Sequence, residues 1–232
     1  APIASIYSEQ MIINYNNVHL KHDERTILSG VNMQVMAGDM VYLTGLVGSG
    51  KSTLMASMYG NTPICNGQAI VLKHDLRRIN HNQMQFLRRR IGVVHQDLRL
   101  LSEHTVYENL DFVLRATDWT QKTLRDERIE EVLNWVHLSD KINCLPHELS
   151  GGQKQCICIA RAMLNHPELI LADEPTGQLD AENGERVIAL LNDIREKTKC
   201  AVVISTHNAQ WPVAFPGSIY HCENNTLTKV NE

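Results

Sequence analysis

Nine residues from Gly45 to Thr53, GLVGSGKST, combine three glycines, one lysine and three hydroxyl side chains. Their order fits G-x-x-x-x-G-K-[ST], a pattern whose four fixed positions arise by chance in roughly one chain of this length in a hundred. Gly45, Gly48 and Gly50 let the backbone curl until successive N–H groups, Ser49 among them, point inward at phosphate oxygens. A helix starting at Lys51 adds its partial positive charge. Lys51 would reach the outer phosphates, Ser52 would bind Mg²⁺ and Thr53 would donate to the innermost phosphate. The segment LILADE supplies the second part: Asp173 closes an apolar run and would hold Mg²⁺ through water, while Glu174 would polarise a water for in-line attack. His207 follows the apolar run Val202-Val203-Ile204, and Gln96 follows Ile91 to Val94. Both sit at strand ends, where open parallel sheets collect ligands.

A second anion site is written into LSGGQ. Ser150 is a good helix N-cap, and the helix after it carries Ile159, Ala160, Met163 and Leu164 on one face. Gly151 and Gly152 would therefore leave free amides at a helix start.

The elements that position these groups follow from periodicity. Short strands are expected at Ile12 to Tyr15, Val31 to Val35 and Met40 to Leu43, the last feeding the glycine loop; Ser52 to Met58 should be helical. Thr105-Val106-Tyr107-Glu108 reads as a capping box opening a helix through Leu114, and a second helix follows with Ile129, Val132, Leu133 and Val136 on one face. After Pro167 the pattern returns to strand, helix (Val187, Leu190, Leu191 and Ile194 inward) and strand, which implies parallel pairing with right-handed crossovers. Ser218 to Val230 reads as a closing hairpin. The expected fold is α/β: a P-loop core with a mostly parallel sheet, an antiparallel β-subdomain and a helical insertion, with 1–98 and 150–232 forming the core and 99–149 the insertion, all in one domain.

Composition narrows the function. The 232 residues are 43% hydrophobic with a net charge of −4, which argues against nucleic acid as partner. The run Leu87-Arg88-Arg89-Arg90 reads as a solvated helix face. Six cysteines without paired spacing read as reduced thiols in a cytosolic protein. No apolar run is long enough to cross a membrane, and APIASIYSEQ has no signal-peptide pattern, so a membrane role would run through a partner. The glycine loop alone leaves kinases, GTPases and transporters open.

With LSGGQ added, the chain resembles the nucleotide-binding domain of ATP-binding cassette (ABC) transporters over nearly its whole length. GLVGSGKST (Walker A), Gln96 (Q-loop), LSGGQ (signature), LILADE (Walker B), GQLD from Gly177 to Asp180 (D-loop) and His207 (H-loop) stand in family order. The resemblance implies an ATPase that uses Mg²⁺ and works as a head-to-tail dimer. In it, Ser150, Gly151, Gly152 and Gln153 would close on the γ-phosphate held by the partner subunit's Lys51. His207 would touch the γ-phosphate and steady the water, Gln96 would sense Mg²⁺, and Asp180 would couple the two sites. A groove near Gln96 and the helical insertion would receive an integral membrane partner, placing the chain on the cytoplasmic face of the membrane.

Within the family, GVVHQDLRLLSEHTVYENL is similar to the FtsE group of cell-division ATPases, whose membrane partner is FtsX and whose output is control of peptidoglycan hydrolases. ATPases of lipoprotein-release and macrolide exporters, and a nucleotide-gated module with negligible turnover, are the alternatives. Three positions depart from the family pattern: His22 stands where an aromatic stacks on adenine, His95 replaces the aromatic before Gln96, and Cys156 replaces an arginine after the signature.

Overall fold

The computed structural model describes residues 10–230, so the reading of the N-terminal segment APIASIYSEQ falls almost wholly outside it. The elements in chain order are β1 (Met11–His22), β2 (Arg25–Met36), β3 (Met40–Thr44), α1 (Lys51–Met58), β4 (Asn66–Val71), β5 (His74–Asp75), α2 (His81–Arg89), β6 (Ile91–Val94), α3 (Val106–Ala116), α4 (Lys122–Trp135), α5 (Gly151–Met163), β7 (Leu169–Asp173), α6 (Ala181–Thr198), β8 (Ala201–Thr206), α7 (Gln210–Ala214), β9 (Ser218–Glu223) and β10 (Thr226–Val230). Strands β2-β1-β4-β5 form an antiparallel sheet, and β10-β9-β3-β8-β7-β6 form a second sheet that is parallel except for the β9–β10 hairpin.

Alternation along the central strands divides the core. Val41 and Leu43, Leu169 and Leu171, and Ala201 and Val203 face α1 and the antiparallel sheet. Tyr42, Ile170 and Ala172, and Val202 and Ile204 face α5 and α6. Both faces are covered, which is why these strands read as unbroken apolar runs. On α6 the buried side chains are Val187, Ile188, Leu191 and Ile194, after Gly184 in the first turn; Leu190, expected inward, is only half-buried at the edge of the cluster.

The capping box at Thr105 and Glu108 is present and starts α3. Two features lay outside the periodicity reading. Helix α2 has its own capping box, Asn80 with Gln83. Its last turn is not a solvated basic face, because Leu87 is fully buried and Arg89 pairs with Asp118 at 2.8 Å. Just beyond, Arg90 pairs with Glu168 at the entrance to β7.

Helix α4 buries two arginines as well as its apolar stripe. Arg125 Nε donates to Asp111 Oδ1 on α3 at 2.7 Å, and its Nη1 donates to the carbonyls of Trp119 and Thr120. Arg128 donates to the carbonyls of Met163 and Leu164, placing a cation on the exposed end of the α5 peptide dipole. The Arg125 bonds hold α3, α4 and the turn between them together, and the Arg128 bonds tie α4 to α5.

His166, in the turn after α5, adopts a left-handed φ of 52° and stacks on Trp119 with ring centroids 6.4 Å apart. Partial desolvation, reinforced by the Arg128 charge, pushes its pKa below the ordinary value, although part of the residue stays exposed. A histidine held neutral in the fold binds its proton more readily when unfolded, so it contributes stability above about pH 6.5 that is lost as pH falls toward the lower folded value. His166→Asn keeps a residue that tolerates left-handed backbone and removes the titration. Melting curves from pH 7 to pH 5 should show the wild type losing more stability than the variant; parallel curves would contradict this.

Candidate functional site

The loop between β3 and α1 is shaped by glycine. Gly45 has φ 140°, Gly48 φ 81° and Gly50 φ 109°. At Gly45 a Cβ would stand 2.5 Å from the Cys222 carbonyl oxygen on β9, so the position needs glycine for space as well as for conformation. Lys51 is 5% exposed and folds back over its own loop, donating to the carbonyls of Gly45 (2.6 Å) and Leu46 (3.0 Å). Beside the loop lies a cleft of about 250 Å³, lined by Gly48, Gly50, Lys51, Ser52, Thr53, Gln96, Glu174 and His207 among others; Ser49, expected to turn its N–H inward, donates it instead to the Leu46 carbonyl at 3.1 Å, which closes the turn of the loop. The structure thus brings residues from four separate sequence segments to the carboxyl ends of β3, β6, β7 and β8.

Within the cleft Glu174 is the hub. Its Oε2 lies 3.1 Å from His207 Nδ1, and its Oε1 lies 3.8 Å from Lys51 Nζ. Glu174 itself is left-handed, φ 45°, at a cost of about 1–2 kcal/mol for an L-residue. A strained backbone that aims a carboxylate into a polar cleft fits a water-activating group. Next to it, Asp173 Oδ1 accepts from Ser52 Oγ at 3.1 Å and from Ser205 Oγ at 2.6 Å. The Ser52 hydroxyl, the Asp173 carboxylate and the Gln96 carbonyl are all hard oxygen donors, as Mg²⁺ requires. Gln96 Nε2 stands 2.8 Å from the place a Cβ on Gly177 would take, so this glycine leaves room for the side chain.

The other half of the expected set lies elsewhere. Ser150, Gly152 and Gln153 line a separate cleft of about 160 Å³ with Cys156, Asn183 and Arg186, and it shares no residue with the first. Ser150 caps α5: its Oγ accepts the Gln153 N–H, and Gln153 Oε1 accepts the Ser150 N–H. The Ser150 hydroxyl proton and the Gly151 and Gly152 amides at the helix start remain as donors toward an anion. Asp180, expected as a coupling residue, is also the N-cap of α6; the Asn183 backbone and side-chain amides hold its carboxyl below the usual range. Burial pushes the Cys156 thiol up to about 11, so it is a poor nucleophile at neutral pH.

His22, like Gly45, Ser49 and Asp173, is absent from the lining of the glycine-loop cleft. It ends β1 at the tip of the β1–β2 hairpin, largely exposed, with Nε2 3.8 Å from Asp23. Ser205 is the residue sequence reasoning missed, because at the end of an apolar strand it reads as strand tail. A larger cavity of about 380 Å³ lies at the opposite ends of β7 and β8, beside Glu168 and Cys200. It lacks both a glycine loop and the strand carboxyl ends where such sheets bind ligands.

The comparisons agree with this geometry. Residues 28–177 match the ABC transporter family. The chain is 38% identical over 200 residues to the cell division ATP-binding protein FtsE of Streptococcus pneumoniae serotype 2, covering 86% of each chain. It is 37% identical over 177 residues to the methionine import ATP-binding protein MetN 2 of Salmonella typhi, covering 76% of this chain and 52% of that one. Among solved structures, a dimeric bacterial ABC transporter cassette superposes with TM-score 0.83 at 29% identity, over 95% of this chain and all of the other. The same cassette has been solved in a post-hydrolysis state with ADP and Pi, and superposes with TM-score 0.82 at the same identity and coverage. The order of the phosphate loop, signature and carboxylate strand, their convergence in the fold and these matches together place the chain in the ABC transporter family, as an ABC ATPase cassette.

Proposed function

We propose that this ATPase binds Mg-ATP between the glycine loop of one copy and the LSGGQ helix of a second, closes on binding and opens on hydrolysis. The observation that carries this is the division of the anion-binding amides: those of the loop and those of the α5 start line two clefts with no residue in common. Each chain thus offers two half-sites, and two chains arranged head to tail complete both. The dimeric state of the similar solved cassette supports this arrangement.

In the closed site, Lys51 leaves its own loop carbonyls for the β- and γ-phosphates, and Thr53 donates to the α-phosphate. Ser52, Asp173 and Gln96 hold the cation, whose chemistry is to neutralise the phosphate charge that develops on transfer. Glu174 takes the proton of the attacking water, and His207, already 3.1 Å from Glu174, orients the water against the γ-phosphate. The partner subunit's Ser150 and Gly152 complete the phosphate cage, and Asp180, anchored at the start of α6, reports closure across the interface. His22 lies against adenine. Stacking on an aromatic side chain is worth about 1–3 kcal/mol, so His22→Tyr should lower the Kd for ATP by about threefold to tenfold in a fluorescence titration. An unchanged Kd would remove His22 from the base site.

The finer reading is an FtsE-like subunit that drives an FtsX-like membrane protein in cell division and peptidoglycan hydrolase control. It rests on the 38% identity to FtsE and on the Gln96 loop sequence. The groove for such a partner lies beside Gln96, where Val93, His95, Leu101, Phe112 and Val113 border a space of about 300 Å³. Phe112 is 62% exposed there and Leu101 44%, although both are large apolar side chains. Among the described residues no helix is long and apolar enough to cross a membrane; in this reading the FtsX-like partner holds the chain at the cytoplasmic face. The test is affinity purification from detergent-solubilised membranes of wild type and Phe112→Glu. An FtsX-like protein should be recovered with the wild type and lost with the variant, whereas recovery of a methionine permease would support a MetN-like role instead.

A further inference from the structure

Asp173 and Glu174 carry the chemistry, yet neither is held by its own strand alone. Ser205 is fully buried on β8, the lateral neighbour of Asp173 in the parallel register. Its hydroxyl donates to Asp173 Oδ1 at 2.6 Å and accepts the Glu174 N–H at 2.9 Å. The Glu174 N–H has one other acceptor, the Ser205 carbonyl at 3.1 Å. One hydroxyl thus fixes the side chain of the first carboxylate and the left-handed backbone of the second.

We propose that Ser205 is a positioning residue for phosphoryl transfer, keeping both carboxylates aligned from its buried place on β8. Ser52 Oγ is the other donor to Asp173 Oδ1, at 3.1 Å. Ser52 has the further task of offering its oxygen to the cation, whereas Ser205 serves only the two carboxylates. Ser205 is 0% exposed and does not line the cleft, so its bond persists through loading and turnover. With alanine at 205, Asp173 would keep only the longer hydroxyl bond from Ser52, at 3.1 Å, and the Glu174 amide would rely on the longer bond to a carbonyl. The other residues of β8 from Ala201 to Ile204 are apolar and buried, so the hydroxyl at 205 is not a general requirement of the strand.

This inference rests on the assignment of Asp173 and Glu174, and its test is separable from that assignment. In nucleotide-free protein, amide hydrogen exchange followed by NMR should show the Glu174 N–H exchanging about tenfold faster in Ser205→Ala than in wild type. The same variant should need several-fold more Mg²⁺ for half-maximal ATPase and show kcat lowered about tenfold, with Kd for ATP in EDTA within about twofold of wild type. Ser205→Thr, which keeps the hydroxyl, should restore the Glu174 exchange rate and the Mg²⁺ response. Wild-type exchange at Glu174 and a wild-type Mg²⁺ response in Ser205→Ala would overturn the proposal. So would an equal loss of ATP binding with and without Mg²⁺, which marks a general packing defect. If Glu174→Gln instead kept full activity, the assignment of the carboxylates would fail, whatever the exchange rates.

Discussion

Glu174→Gln should lower kcat by about two to four orders of magnitude, the range that removal of a general base produces. Glutamine matches the shape of glutamate and can still bond His207, but it cannot take a proton from water. Binding should survive, because the loop amides, Lys51 and Ser52 are untouched. The variant should therefore collect in the ATP-bound state, and light scattering behind size exclusion should find a dimer that is stable with ATP and absent with ADP. Wild-type turnover in this variant would sink the catalytic role and leave a nucleotide-gated module. Loss of ATP binding would show instead that Glu174 supports the fold of the loop, a reading that its contact with Lys51 keeps open to test.

Asp111→Ala should lower stability by about 3–5 kcal/mol, because it leaves a buried guanidinium without its carboxylate. Asp111 accepts from Arg125 at 2.7 Å and pairs with Arg115 at 2.7 Å, and both Asp111 and Arg125 are almost inaccessible. For a domain of this size the fall in melting temperature should be about 10 °C or more. Asp111→Asn, which keeps an acceptor but loses the charge, should fall between the two. The damage should begin around the Asp111–Arg125 pair, with hydrogen exchange in α3 and α4 rising before that of β7 and β8. A change below about 0.5 kcal/mol would mean that the two carbonyls on Arg125 suffice to hold it.

Much of this site can be read from one dimension, because the phosphate loop, the signature and the carboxylate strand are local devices. Each is a short run in which residue type sets backbone shape: glycine for the left-handed turns at Gly48 and Gly50, serine for the cap at Ser150, an apolar run for β7. Buried parallel strands also announce themselves, since coverage of both faces makes Leu169 to Ala172 and Ala201 to Ile204 unbroken. Helix α2 is harder to see, as its first turn is polar and it buries only Leu87 fully, with Met84 partly buried against the core. The arginines of its last turn read as solvated because nothing nearby in sequence shows Asp118 as the partner of Arg89. Helix α4 hid its two buried arginines for the same reason, with Asp111 and the carbonyls of Met163 and Leu164 supplied by other elements.

Residue types along the chain mark which groups are offered to phosphate, which cap helices and which strands are central, because these depend on neighbours within about four residues or on simple alternation. Only the tertiary structure decided how far apart those groups stand and what holds them. It placed Glu174 between Lys51 and His207, separated the LSGGQ amides from the loop cleft and set the Ser205 hydroxyl under both carboxylates. The physical reason is that lateral pairing of β7 with β8 joins residues 32 positions apart, and no local pattern of residue types encodes that register.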